Sequence, residues 1–572
     1  MMETPQSYMY YQSSAQYLGK VICLHVSASA IVDIVALFLF CSKASMYHDS
    51  APYAALLGTA LVVYFLIYPF IEYFRDSKGL RRFPNLTPLS GISNIPFAIL
   101  AHSGARSSRL AELHKKHPVI RTGPNTLSYG DVRAIKDIYG HNTKCTKDGL
   151  YVVTAGSHYH LADVIDKHDH SRKRKVLSSA YALKNLEQWE HKVADKTIRL
   201  IRHFDQCCTA PLPAHVKTVA EDDTTVDYRA WTNFFTLDAI ADIGLSEPLG
   251  FLDRGNDQIL CRRPDGSQYE CAFRPALYQN ARKQSLIVWS YEWYKTIDKL
   301  SNIIPFYRRM GQRAKEWDGI PVELASRRLV RYQAGEKLDD FFQALMEDKS
   351  GHPNNLEWGE IVAEVSIMMN AGSVTTAIAM ANVLYQLLKT PAMMKKLVAE
   401  LDFALDDIDD GDVAVPYDKI KHLPYLRACL DESLRLFPPT PQNLGRETPN
   451  GGIFILDDHI PGGVSVAVSA LVAHRDEGVF PQAEKFIPER WLGEEGKNLQ
   501  PYFLAFSAGA RGCIGRNISY LEQTVLLASV LRRYEFALPH PDWEIERLET
   551  FNWILGEMPV KVWRRQVGKR QG

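Results

Sequence analysis

Phe506-Ser507-Ala508-Gly509-Ala510-Arg511-Gly512-Cys513-Ile514-Gly515 sets one cysteine in a glycine-rich loop, just ahead of a stretch with a helical pattern. Gly509, Gly512 and Gly515 let the backbone turn tightly and approach a bulky ligand without Cβ clashes. A helix starting just after Cys513 aims its free N–H groups and positive dipole end at the sulfur, which favours the thiolate. Arg511, two residues before the cysteine, offers a fixed cation for a carboxylate on the same ligand. Such a loop suits a thiolate brought under a flat, metal-bearing ring. The competing reading is a buried structural cysteine, and that reading fits Cys145 and Cys429, which lack such surroundings.

The stretch resembles the haem-binding signature of the cytochrome P450 family, with Phe506, Gly509, Arg511, Cys513 and Gly515 at the family's spacing. The resemblance makes Cys513 the axial iron ligand of haem b. It gives Phe506, Gly509 and Arg511 roles in holding the cofactor. Thiolate ligation pushes electron density onto iron and favours O–O cleavage.

The chain has 572 residues, 46 % of them hydrophobic, enough for a large core. That length exceeds one average domain, but the resemblance implies a single large catalytic unit, so residues 91–572 are read as one domain. Lys+Arg and Asp+Glu both number 66, so net charge gives no sign of a nucleic-acid partner. Nine cysteines are scattered, and the absence of a CxxC spacing argues against a disulfide framework or a zinc site. This suits a reducing compartment.

Residues 51–71 carry no charge and are long enough to span a bilayer as a helix. Tyr64, Tyr68 and Tyr73 suit an interfacial belt, and Lys78, Arg81 and Arg82 follow, which puts the main body on the cytosolic side. Within residues 1–50, the apolar run 21–41 is a second candidate span, weakened by His25 and Asp33. Residues 72–90 include Arg82-Phe83-Pro84-Asn85-Leu86-Thr87-Pro88 and read as a stiff hinge, in the place where the family has one. By resemblance the protein belongs to the endoplasmic reticulum membrane, with its catalytic domain in the cytosol.

Further motifs follow in the family's order. Residues 117–125 read as the first β-hairpin, 131–139 as a short helix and 141–168 as loop. His170 and Arg174 lie four apart on one helical face, and the resemblance gives them haem propionates to hold. Residues 186–345 read as helical, with irregular inserts at 209–224 and 253–268. Residues 356–388 form the longest helix candidate, about 50 Å long, and Glu357, Glu360 and Glu364 near its start argue against a membrane span. Glu432 and Arg435 fall three apart on a later helix, and Arg490 follows in Pro488-Glu489-Arg490-Trp491. In the family these three form a buried ion-pair network that supports the haem-binding core. Arg446 resembles a further propionate-binding position.

The long helix contains Ala371-Gly372-Ser373-Val374-Thr375-Thr376, which resembles the family's oxygen-activation motif. The small pair makes room above iron there, and a threonine hydroxyl disrupts the helical hydrogen bonding. Ser373, Thr375 and Thr376 are the catalytic candidates. Val374 departs from the family pattern, which has Asp or Glu before the threonine. Protons then come through Thr375, Ser373 and water, or from a substrate group, or the chemistry needs no relay. The expected lining of the pocket is residues 146–165, the long helix, 439–445 and 551–558, with Trp553, Ile554, Leu555 and Met558 as apolar wall.

The resemblance implies the P450 fold, mainly α with small β-sheets and an N-terminal transmembrane anchor. It implies a monooxygenase that oxidises an apolar small molecule with O₂ and with electrons from NADPH. Those electrons arrive through NADPH-cytochrome P450 reductase, with cytochrome b5 as a second candidate partner and membrane lipid around the anchor. The motif style looks like fungal enzymes of specialised metabolism, some resembling benzoate hydroxylases. A P450 catalysing a redox-neutral or peroxide-driven reaction is the alternative that Val374 suggests. A non-catalytic haem carrier or sensor is the alternative from another class.

Overall fold

The computed structural model describes residues 63–566 except 179, 182–186, 188, 264 and 409–412, together with residues 56, 59 and 60. The candidate span at 21–41 lies outside the described residues, and so does much of 51–71. The described part begins with a π-helical turn, Val63–Ile67, that runs into a helix at Tyr68–Arg75 with no buried residue. Residues 80–86 are tied to the body of the protein. Leu80 and Phe83 are buried, and the backbone of Pro84 and Leu86 exchanges hydrogen bonds with Arg121 at 2.8 and 2.9 Å.

Helices dominate and the sheets are small, as the sequence implied. The main sheet contains β1 (Val119–Gly123), β2 (Thr126–Tyr129), β3 (Thr146–Lys147), β4 (Arg446–Glu447) and β5 (Ser465–Val468), in the order β1-β2-β5-β4-β3. The β5–β2 pair is parallel, with Val466 opposite Leu127, and the other pairs are antiparallel. Strands far apart in sequence thus meet, and β3 sets Lys147 directly beside Arg446 of β4.

The helices that matter for the site are α1 (Lys167–Ser178), α2 (Tyr228–Leu245), α3 (Trp358–Lys389), α4 (Pro424–Leu436) and α5 (Arg516–Arg533). Local chemistry starts them. The Asp227 side chain accepts from Ala230 N to cap α2, and Pro424 opens α4, where a missing N–H costs nothing. α2 packs closely along α3. A Cβ on Gly372 would sit 2.6 Å from Ile240 Cγ1, so this glycine permits the helix contact. Among the described residues α3 is the one helix long and apolar enough to cross a membrane, but more than half of its most apolar window is buried in the protein. It is a core helix, as its early glutamates suggest.

Three parts of the expected layout change. Residues 141–168 include β3 and a short helix, Gly149–Thr154, started by the Asp148 side chain. The insert at 253–268 holds a strand, Gln258–Arg262, paired antiparallel with Gln268–Ala272. Near the C-terminus Trp553–Leu555 pairs with Arg547–Glu549, and Trp553, Leu555 and Met558 are buried in the core.

Candidate functional site

The Cys513 loop is shaped by its own backbone. Cys513 N–H donates to Phe506 O at 2.9 Å, and Gly512 N–H closes a tight turn on Gly509 O at 3.0 Å. Gly509 sits at φ +65°, and a Cβ there would lie 2.0 Å from Tyr139 O. Only glycine fits that position. Phe506 packs on Tyr520 of α5 with ring centroids 5.1 Å apart, and Arg516 lies over Phe506.

Cys513 opens onto a cavity of about 440 Å³. Burial pushes its thiol pKa up, while the N–H groups of Gly515 and Arg516 and the cations Arg174 and Arg516 pull it down. The start of α5 therefore acts on the sulfur in the expected direction, but burial outweighs it. A coordinated metal ion reverses that balance, because a ligating thiol is deprotonated.

Cations gather on this cavity. Lys147, His170, Arg174, Arg446 and Arg511 all line it. Lys147 and Arg446 are direct cross-strand neighbours, where like charges oppose one another. Burial first, then Arg446 and Arg511, hold the Lys147 pKa well below its ordinary value. Burial and the nearby Arg511, Lys147 and Arg174 lower His170 to about 4, and burial and Arg446 lower Arg511 to about 10. The acids on the wall do not balance them, since burial raises Asp163 to about 8 and also raises Glu364. With Arg446 and Arg511 charged and Lys147 and His170 beside them as further basic groups, the cavity fits a ligand carrying carboxylates, whose charge would raise the lysine and histidine pKa values. The arginines are positioned by carbonyls: Arg511 donates to Val164 O and Ile165 O at 2.7 and 2.8 Å, Arg174 to Gly512 O at 2.7 Å, and Arg446 to Gly445 O at 2.9 Å and Tyr151 Oη at 3.2 Å. Lys147 was not legible as a site residue. Its strand is two residues long, and only pairing with β4 brings it there.

Glu432, Arg435 and Arg490 do come together, fully or nearly buried. The Glu432 carboxylate accepts from Arg435 Nε and Nη2, Ile487 N, Arg490 Nε and Trp491 Nε1, all between 2.8 and 3.1 Å. Arg435 spends its remaining donors on the carbonyls of His474, Ala483 and Lys485. None of the three touches the cavity, which fits a supporting role.

The threonine motif is more divided than its sequence implied. Thr375 lines the cavity, and its Oγ1 donates to Ala371 O at 2.7 Å. Thr376 borders the cavity too, but it is 2 % exposed and its hydroxyl is engaged with Ser519 Oγ of α5 at 3.0 Å. Ser373 is buried off the cavity wall and donates to Met369 O at 2.6 Å, and Val374 is buried off the wall as well. α3 runs unbroken through all of them. The hydroxyls therefore bond to carbonyls one turn back without opening the helix.

The rest of the wall is mostly apolar, with Leu150, Ile240, Val288, Trp289, Met368 and Phe551 among its residues. It includes parts of all four expected segments. From the C-terminal one, however, Phe551 and Asn552 line the cavity, in place of Trp553, Ile554, Leu555 and Met558.

A sequence model described as cytochrome P450 matches residues 88–562. The chain belongs to the cytochrome P450 family. Among curated relatives, this P450 is 30 % identical to the cytochrome P450 monooxygenase efuB of Hormonema carpetanum, over 79 % of this chain and 85 % of that protein. It is 29 % identical to the benzoate 4-monooxygenase bphA of Aspergillus niger, over 91 % of this chain and 98 % of that protein. It is also 29 % identical to the cytochrome P450 monooxygenase astJ of Aspergillus oryzae, over 84 % and 91 %. The P450 is thus an oxidoreductase of a family of haem-thiolate monooxygenases, with the P450 fold.

Proposed function

We propose that this P450 is a membrane-anchored monooxygenase of fungal secondary metabolism that oxidises an apolar small molecule. The observation that carries the reading is the meeting, on one cavity, of the Cys513 thiol, a cationic cradle and the Thr375 hydroxyl. Haem, when bound, supplies the iron redox chemistry that reduces O₂ and inserts one oxygen atom into the substrate, the other leaving as water.

Every other part falls to the chain. Cys513 Sγ, presented by the Phe506–Gly512 turn, would bind the haem iron. Arg446, Arg511 and Arg174, with Lys147 and His170, would hold the two propionate carboxylates, and those anions would offset the repulsion between Lys147 and Arg446. Glu432, Arg435 and Arg490 keep the loop's support rigid. Thr375 Oγ1 is the hydroxyl placed to hold and pass a proton on the substrate side. Ser373 and Thr376 take no part in the relay in this reading, because Ser373 lies off the cavity wall and the Thr376 hydroxyl is tied across to Ser519. With Val374 in the acid's place, water in the cavity brings the proton to Thr375.

Electrons come from NADPH through NADPH-cytochrome P450 reductase docking on the Cys513 side, with cytochrome b5 as an auxiliary donor. The apolar run at 51–71 anchors the protein in the endoplasmic reticulum membrane and keeps residues 91–572 in the cytosol. Expression with and without this chain in a host that supplies reductase, followed by metabolite comparison, identifies the product. Cys513→Ala tests the ligand directly: the reduced, CO-bound protein loses its thiolate band, and an unchanged band overturns the assignment.

A further inference from the structure

One buried polar side chain on the cavity wall belongs to neither the cationic cradle nor the threonine motif. Gln442 is 3 % exposed and lines the cavity, and its Oε1 accepts from Arg106 Nη2 at 2.5 Å. Arginine has donors only. The amide oxygen must therefore face Arg106, which removes the usual ambiguity between the two ends of a glutamine. The amide nitrogen is left with no hydrogen-bond partner among the described residues.

Arg106 is itself immobilised. Its Nε donates to Glu549 Oε1 at 3.0 Å and its Nη2 to Thr550 O at 2.9 Å, and its guanidinium lies 4.5 Å from the Trp289 ring centroid. Glu549 is held in turn by Ser107 N at 2.7 Å and Ser107 Oγ at 2.6 Å. Both members of this ion pair are buried, and breaking a buried pair is costly. Beside it, Asn552 repeats the arrangement. Its Oδ1 accepts from Thr440 Oγ1 at 2.6 Å, and both residues line the cavity. The two segments are joined by Trp553 N–H donating to Pro439 O at 3.0 Å.

We propose that Gln442, oriented by the Arg106–Glu549 ion pair and flanked by Asn552, donates its amide N–H to a carbonyl or carboxyl oxygen of the substrate. The inference rests on the monooxygenase reading above and narrows its substrate class to apolar molecules bearing such an oxygen. The chemistry is one-sided. At this point of the wall the protein offers an N–H donor whose orientation the substrate does not have to supply, so the ordering cost is met before binding. A hydrocarbon of the same shape leaves that donor unpaired, which a buried site penalises. Gln442 is a specificity-determining residue in this scheme, and Arg106 is a positioning residue that acts through it.

The test uses the haem-loaded protein and three probes of one shape: naphthalene, 2-acetylnaphthalene and 2-naphthoate. Binding is read from the change in the Soret band. The wild type binds the ketone or the carboxylate about tenfold more tightly than naphthalene, and the two arms tell a carbonyl from a carboxylate ligand. Gln442→Leu removes that preference, weakening the ketone or carboxylate and tightening naphthalene, because no donor is then left unpaired. Arg106→Met does the same by freeing the amide to rotate, and Arg106→Lys restores part of the preference. If Arg106→Met fails to fold, Gln442→Leu decides alone. A preference that survives Gln442→Leu, or a wild type that treats the probes alike or responds to none, overturns the proposal. The reduced CO spectrum of the same samples keeps the two readings apart: a wild type without the thiolate band sinks the monooxygenase reading instead.

Discussion

His474 has both ring nitrogens in fixed bonds beneath the Cys513 loop. Nδ1 faces Arg435 O at 3.0 Å, an acceptor, so it carries the proton. Nε2 accepts from Leu504 N–H at 2.8 Å, so it must be bare. Burial, then the nearby Arg435, lowers its pKa to about 3. An unfolded chain protonates this histidine near the ordinary value of about 6.5. Between those values the unfolded state binds more protons, so stability falls as pH drops from 6.5 toward 3, and the group adds no slope above 6.5. Urea unfolding should show a shallower loss of stability between about pH 7 and pH 4 in His474→Gln than in the wild type; parallel curves would refute the account. Reading the sequence by residue succeeded where neighbours in the chain are partners in space. Cys513, Gly509 and the Glu432–Arg435 pair each lie within one short motif. Lys147 and Gln442 stayed silent because their partners are remote: Arg446 across a strand pair, and Arg106 at a separation of 336 residues.

The long helix gives two adjacent threonines two different bonding partners, Ala371 O for Thr375 and Ser519 Oγ for Thr376. Thr375→Ala removes the hydroxyl on the cavity and should lower product formed per NADPH consumed roughly tenfold, with the CO spectrum intact. Thr376→Val breaks only the tie to Ser519, which keeps its contact with Gln523 Nε2 at 3.0 Å. It should cost about 1 kcal/mol in unfolding experiments and leave coupling alone. The reverse pattern would assign the relay to Thr376. The bounds of this helix were legible, expected at 356–388 and found at Trp358–Lys389, because a long apolar run ending in a proline leaves few alternatives. The Gln258–Ala272 hairpin was missed. Its signal was present: Asp265-Gly266 is a turn pair, and Gln258–Arg262 alternates exposed and buried residues. Which threonine is tied to Ser519 was not legible, since helical rotation is set by packing against α5 and α2.

Across the whole molecule, exposed apolar side chains gather near the first described residues. Ile67, Phe70, Ile71 and Phe74 are exposed on the leading helix, Ile95 and Ile99 on the next, and Ile303, Ile304 and Phe306 where two later helices meet. Ring contacts tie these elements together, Tyr64 to Trp293 at 6.1 Å and His102 to Phe306 at 6.4 Å. A patch of that kind marks an interaction surface, and beside an apolar leader it suits lipid. A protein lacking residues 1–75 should still sediment with phosphatidylcholine vesicles. Ile303→Glu with Ile304→Glu should reduce that fraction severalfold without altering the CO spectrum; equal sedimentation would show that the leader alone binds membrane. The Glu432 carboxylate carries a different lesson at this scale. Five donors from two helical elements and the loop between them end on its two oxygens, so no single partner can be exchanged without stranding the rest. Variation that tunes substrate choice must therefore accumulate elsewhere, on the cavity wall and the surface inserts, while this junction tolerates neither trial nor drift.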